Sequence, residues 1–152
     1  MQLPLTGGCQ CRALRYEIDA EPLALYACHC TECQKQSASA FALSMLVPRA
    51  AVRVTQGEPR EWVRRADSGR TMSCMFCAQC GTRVFHLPHS NPQVTVIKPG
   101  TLDDTSWFDP VGHIWTRSAQ PWVDIPADTV NYEVQPPDQA KLIAAWKARQ
   151  PA

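Results

Sequence analysis

YACHCTECQKQ, residues 26–36, places Cys28, Cys30 and Cys33 within six positions. Three thiols that close are too many for one disulfide and one short of a closed tetrahedral metal site. The other five cysteines are grouped as well: Cys9 with Cys11, and Cys74 with Cys77 and Cys80. Short spacings deliver sulfurs to one point. CxxC does so from a turn, and CxC does so from extended chain, where alternate side chains share a face. Three clusters with no isolated cysteine read as metal ligands, and soft thiolates select zinc.

The composition agrees with that reading. A chain of 152 residues is expected to form one domain, residues 1–152, large enough to bury a core without cysteine cross-links. Its 15 Lys+Arg against 14 Asp+Glu provide no basic footprint for nucleic acid. The start, MQLPLTGGCQC, has neither the charge nor the apolar run of a signal peptide, and no stretch approaches the roughly 20 apolar residues of a membrane span. A cytoplasmic location is therefore expected, and thiols there are normally kept reduced.

The chain reads as short strands. Leu14, Tyr16 and Ile18 alternate with Arg15, Glu17 and Asp19, the period of a half-buried strand. Ala24–Ala27 forms a second strand leading into Cys28. Phe41–Val47, Val52–Val54, Glu61–Arg64, Arg83–Leu87, Val94–Ile97 and Gly112–Thr116 follow, punctuated by Gly, Pro, Asp and Ser. Thr31-Glu-Cys-Gln34 fits a capping box, which would put Cys33 in the first turn of a short helix. Asp138 reads as the cap of a C-terminal helix whose apolar face is Leu142, Ile143 and Trp146. The fold class expected is mainly β with a C-terminal helix.

Counting ligands divides the cysteines. CAQCG (77–81) is a metal-knuckle turn in which Gly81 can take a positive φ. Cys77 and Cys80 need two partners, and Cys9 and Cys11 supply them, which closes a structural site. Cys28, Cys30 and Cys33 then stand as a three-ligand site. Catalytic zinc commonly keeps three protein ligands and an open position. Two readings remain at this stage: an open site, or one closed by the leftover Cys74 or, less well placed, by His29. On extended chain His29 points away from its cysteine neighbours.

GGCQC (7–11), CHCTECQKQSASAF (28–41), FCAQCGT (76–82), KPGTLDD (98–104) and HIWTRSAQPWVDI (113–125) together resemble the glutathione-dependent formaldehyde-activating enzyme family, whose domain also occurs in the centromere protein V group. The resemblance implies a tent-like arrangement of small antiparallel sheets around zinc. It implies a structural ion on Cys9, Cys11, Cys77 and Cys80 and a catalytic ion on Cys28, Cys30 and Cys33. The implied reaction is that of a carbon–sulfur lyase run in the adding direction, joining the thiol of glutathione to formaldehyde. Arg12 and Ala38 stand where the family often carries glycine.

Among the remaining residues, His29 is the candidate proton carrier beside the metal-binding cysteines. Lys35 is a candidate partner for a glutathione carboxylate. His113 and Trp115 are candidate substrate-binding residues. Trp122, between Pro121 and Val123, reads as core. His86 and His89 receive no role. A zinc-stabilised binding module and, ranked third, a redox enzyme like the type B methionine sulfoxide reductases are the competing classes. Oligomeric state is not legible here.

Overall fold

The computed structural model describes residues 1–65 and 69–149. They form two units: Met1–Pro22 with Leu46–Trp107, and Leu23–Met45 with the chain from Phe108 onward.

In the first unit, β1 (Leu5–Gly8), β2 (Arg15–Ile18) and β5 (Val52–Gln56) make a three-stranded antiparallel sheet with β2 in the middle. The alternation anticipated for β2 is present, with Leu14, Tyr16 and Ile18 almost wholly buried. The ring of Tyr16 meets Phe85 edge-on, with centroids 6.4 Å apart. Its hydroxyl shares a 2.7 Å hydrogen bond with Thr101 Oγ1. The TLD portion of KPGTLDD is therefore a clamp on this sheet. Leu102 bridges to Gly7, and Asp103 accepts from Thr6 Oγ1 at 2.6 Å and from both terminal nitrogens of Arg15. Gly7 is required for that approach, since a Cβ there would lie 2.5 Å from the Tyr16 hydroxyl and 2.6 Å from the Thr101 carbonyl oxygen.

Four further strands follow in this unit: β6 (Pro59–Arg65), β7 (Thr71–Cys77), β8 (Arg83–Pro88) and β9 (Val94–Ile97), each antiparallel to the next. β7 has no counterpart among the strands expected from the sequence. Its burial does not alternate: Ser73 and Cys74 are buried side by side, and a register shift follows between Met75 and Phe76. Trp62, Cys74, His86 and Val96 stand opposite one another across the four strands. Cys74 is fully buried and His86 nearly so.

In the second unit the strand order is β11 (Val130–Tyr132), β10 (Gly112–Ile114), β3 (Ala24–Cys28) and β4 (Ala42–Pro48), with the chain leaving the unit inside β4. β10 runs parallel to both β11 and β3, which departs from the wholly antiparallel expectation. All five residues of β3 are buried, because it has a strand on either side and α2 (Ala140–Arg149) packs against it. Leu142 and Trp146 bury the apolar face of α2, and Asp138 Oδ1 accepts the Ala140 N–H at 2.8 Å. Both features agree with the sequence reading. The mainly β architecture with small sheets and a C-terminal helix is confirmed. Among the described residues no helix is long and apolar enough to cross a membrane.

Two local expectations are corrected. The short helix α1 spans Thr31–Ser37, but its N-cap is Cys30 and not Thr31. The sulfur of Cys30 accepts the orphan N–H of Cys33 at 3.3 Å, which displaces the threonine hydroxyl from that role. Trp122, read as core, is 74% exposed. It lies in a tight turn closed by Val123 N–H donating to Gln120 O at 3.0 Å, and that turn carries it out to the surface.

The two positions noted for lacking glycine both adopt left-handed backbone, Arg12 at φ 65° and Ala38 at φ 48°. A side chain with a Cβ costs roughly 1–2 kcal/mol in that region, partly offset by the greater flexibility glycine adds to the unfolded chain. Arg12→Gly and Ala38→Gly should each raise stability by up to about 1 kcal/mol, read as an upward shift of a few degrees in thermal unfolding. An unchanged or lower Tm in both variants would contradict the strain. His86 supplies a pH test. Burial, then the nearby cations Lys98, Arg83 and Arg64, hold its pKa down to about 2. Below pH 6.5 the unfolded chain takes up a proton that the folded chain refuses, so stability falls as pH falls. The slope is about 1.4 kcal/mol per pH unit between that value and the folded one. His86→Gln should flatten the loss seen in chemical denaturation between pH 6.5 and 5; a slope equal to wild type would refute it.

Candidate metal centre

The first sulfur group is assembled over a long span of chain. Cys9 and Cys11 follow β1, Cys77 ends β7, and Cys80 sits in the turn before β8. Gly81 closes that turn at φ 73°, with its N–H donating to Cys77 O at 2.9 Å, as a knuckle requires. The four sulfurs lie within 4.8 Å of one another. Cys9 to Cys11 is 3.5 Å and Cys11 to Cys77 is 3.8 Å. A metal–sulfur bond of about 2.3 Å sets tetrahedral sulfurs about 3.8 Å apart, so the group has the size of a four-thiolate cage. Two of its sulfurs receive hydrogen bonds. The Leu14 N–H donates to Cys9 Sγ at 3.2 Å. The Thr82 hydroxyl lies 3.2 Å from Cys80 Sγ, and its hydrogen bond is the largest influence drawing that thiol down to about 5.

The second group is local. Cys28 ends β3, Cys30 caps α1 and Cys33 lies in its first turn, with all three sulfurs within 4.8 Å. The neighbouring sulfurs of Cys30 and Cys33, then burial, push the Cys28 thiol far up. Three such sulfurs cannot all ionise unless a cation neutralises them, and a thiophilic divalent ion does so. Among the described residues no fourth His, Cys, Asp or Glu joins this group, and Cys74 is in neither group. No cysteine is in a disulfide.

The turn between Cys28 and Cys30 is held by its backbone. The His29 N–H donates to Ile114 O at 2.9 Å. The His29 carbonyl accepts from Gln34 Nε2 at 2.7 Å and from Ser118 Oγ at 3.1 Å. Gln34 was visible in the sequence only as the last position of a capping box; its side chain reaches back past the cap to His29. Ser118 and Gln120 carry no sequence signal of their role, because their bonds cross more than 80 residues.

His29 and His113 are brought together. The His29 side chain is fully buried, and its Nε2 lies 2.9 Å from His113 Nδ1, with the rings stacked at 5.2 Å. Burial holds both below the usual histidine range, with His113 adding to the effect on His29. His29 Nδ1 is buried without a partner. An unsatisfied lone pair is cheaper than an unsatisfied N–H, so the tautomer with the proton on Nε2, donating to His113, is favoured. Lys35 is exposed and pairs with Glu32 at 3.6 Å. Trp115 is half-buried, in left-handed backbone at φ 60°; its Nε1 donates to Gln135 Oε1 at 3.2 Å and Arg117 covers its ring at 5.1 Å. Neither Lys35 nor Trp115 has a bond to the three sulfurs among these contacts.

Known proteins resemble the chain along most of its length. The model of the family described as glutathione-dependent formaldehyde-activating enzyme matches residues 4–118, which include parts of both units and all eight cysteines. A Colletotrichum graminicola protein, named as a candidate glutathione-dependent formaldehyde-activating enzyme, is 24% identical over 161 residues, covering 93% of this chain and 82% of its own. The crystal structure of a Rhodobacter sphaeroides protein shares the fold with a TM-score of 0.51 at 20% identity, covering 84% of this chain and 98% of that one. The matched span contains both sulfur groups and the turns that form them, and on that match the chain belongs to the glutathione-dependent formaldehyde-activating enzyme family.

Proposed function

We propose that this protein is a zinc-dependent enzyme that adds a small thiol, glutathione or a relative of it, to a small aldehyde such as formaldehyde. The observation that carries the reading is the Cys28–Cys30–Cys33 group: three converging sulfurs with no fourth ligand among the described residues. A closed four-thiolate cage serves a fold, whereas a three-thiolate group leaves a position for a ligand. Cys9, Cys11, Cys77 and Cys80 take the structural part in this proposal. Cys74, which a redox reading could use as nucleophile besides a metal-free Cys28–Cys30–Cys33 group, is fully buried, which disfavours it in that role.

Zinc bound by Cys28, Cys30 and Cys33 supplies a Lewis-acidic position that favours the thiolate form of an incoming thiol. The chain's own residues orient and relay. The braced turn at His29 keeps the three sulfurs converged. His29 and His113, neutral and 2.9 Å apart, carry the proton the thiol gives up. Lys35 is held only by an exposed ion pair, which is worth little and exchanges readily for a ligand carboxylate. Trp115 is assigned to substrate binding in this proposal on the resemblance alone. In the reaction a carbon–sulfur bond forms, the aldehyde C=O becomes C–OH, and the thiol proton ends on that oxygen, giving a lyase reaction in the adding direction.

Cys30→Ser should leave a folded protein holding one zinc fewer than wild type and forming no thiol–aldehyde adduct, read by elemental analysis and by NMR of glutathione with formaldehyde. Unchanged adduct formation above the uncatalysed rate would remove Cys30 from the reaction. Cys9→Ser or Cys80→Ser should lose the other ion together with solubility and thermal stability. Full zinc content and a normal Tm in both would contradict a structural cage.

A further inference from the structure

Gln34 makes a set of bonds that exceeds what α1 needs. Its Nε2 donates to His29 O at 2.7 Å and to Ser118 O at 2.8 Å. Its Oε1 accepts from Gln120 Nε2 at 2.9 Å. Both of its N–H groups are committed to backbone carbonyls, which can only accept, so the orientation of the amide is fixed by chemistry. Nothing about α1 itself requires this. The helix N-terminus is capped by Cys30, and Ala38 N–H closes its end on Gln34 O and Lys35 O.

The target of the first bond matters most. The His29 carbonyl lies in the short stretch joining Cys28 to Cys30. With the His29 N–H bound to Ile114 O and its carbonyl taking donors from Gln34 and Ser118, the residue between the two ligands is pinned on both sides. Cys33, the third ligand, precedes Gln34 on the same helix. One amide thus ties the helix bearing one sulfur to the turn bearing the other two, and ties both to the segment Ser118–Gln120. Outer-shell partners that orient metal ligands act in this way.

We propose that Gln34 is a positioning residue for the Cys28–Cys30–Cys33 metal site, setting sulfur convergence through the His29 carbonyl and linking that site to the Ser118–Gln120 segment. The assignment rests on the metal-binding reading above, and its test reads metal rather than turnover. Gln34→Glu keeps size and shape but removes both donors and turns a carboxylate towards two carbonyl oxygens. Gln34→Lys restores cationic donors in reach of those carbonyls, and the Gln120 amide can turn to suit.

The experiment is a chelator titration of the purified zinc protein and of its cobalt-substituted form, whose absorption reports thiolate coordination. Cys30→Ser serves as the reference holding only the four-sulfur site. Gln34→Glu should weaken the second ion about 10- to 100-fold, leave the first ion at wild-type affinity and alter the cobalt spectrum of the second site alone. Gln34→Lys should recover most of that loss. Ser118→Ala, which removes only one donor to His29 O, should weaken the same ion to a smaller degree, and it stands in should Gln34→Glu fold poorly. Equal affinity of both ions in Gln34→Glu and wild type overturns the assignment. So does a lysine variant as weak as the glutamate one, or a Ser118→Ala protein indistinguishable from wild type. Adduct assays decide the reaction separately: a wild-type protein holding two ions without activity would refute the proposed chemistry and leave Gln34 in place.

Discussion

Four thiolates at about tetrahedral spacing are electrostatically untenable on their own, and that constraint organises the first unit. Cys11 and Cys77 are separated by 66 positions yet lie 3.8 Å apart. Bringing them together joins the chain after β1 to the turn between β7 and β8. The protein prepares the meeting with neutral donors, the Leu14 N–H on Cys9 and the Thr82 hydroxyl on Cys80. Such donors spread negative charge without adding a competing cation. The clamp of Arg15, Thr6, Tyr16, Thr101 and Asp103 sits on the same three-stranded sheet, so the corroborating motif KPGTLDD has a structural reason.

The second group obeys the same electrostatics under a different geometry. Its ligands fall within six positions and need no long-range closure. What they need is a rigid turn, because each sulfur's place depends on a few backbone dihedrals. β3 supplies one boundary, buried along its whole length, and α1 supplies the other. Between them His29 is anchored through its N–H, its carbonyl and its ring. A long-range cage makes metal binding part of folding; a local cradle braced by hydrogen bonds can lose or exchange its fourth partner while the rest of the unit stays intact.

Features governed by local chemistry are the ones legible in the sequence. Alternation exposed β2, and the knuckle spacing foretold the positive φ of Gly81. The resemblance marked Arg12 and Ala38 as positions where the family often carries glycine, and the left-handed backbone at both explains that preference. Features set by distant partners were illegible. β7 hides because the adjacent Ser73 and Cys74 are both buried, so no two-residue period shows, and β10 runs parallel to partner strands at 24–28 and 130–132 that no local pattern around it encodes. Trp122 looked like core from its type and neighbours, but a turn closing on Gln120 sends it outward. The cap of α1 was missed by one residue because a sulfur took a role usually held by oxygen. For the candidate site, the two sulfur groups were legible from spacing, whereas Gln34, Ser118 and Gln120 meet through hydrogen bonds that no spacing encodes.

The same sulfur cap bears on the chemistry the second group can support. Three thiolates on a divalent ion leave one net negative charge, which makes the centre a softer acid than a three-histidine site. Water activation wants a hard, positive centre; thiol exchange tolerates a soft one. The N–H of Cys33 donates to Cys30 Sγ at 3.3 Å and draws part of that charge onto the helix backbone. A hydrogen bond to that sulfur would lower its donation to a bound ion and leave the ion a stronger Lewis acid. The choice of cysteine at the cap therefore ties helix formation to the sulfur group: the first turn of α1 places a backbone donor on one of its sulfurs. A hydroxyl at that position would cap the helix equally well and leave the sulfur group with two members.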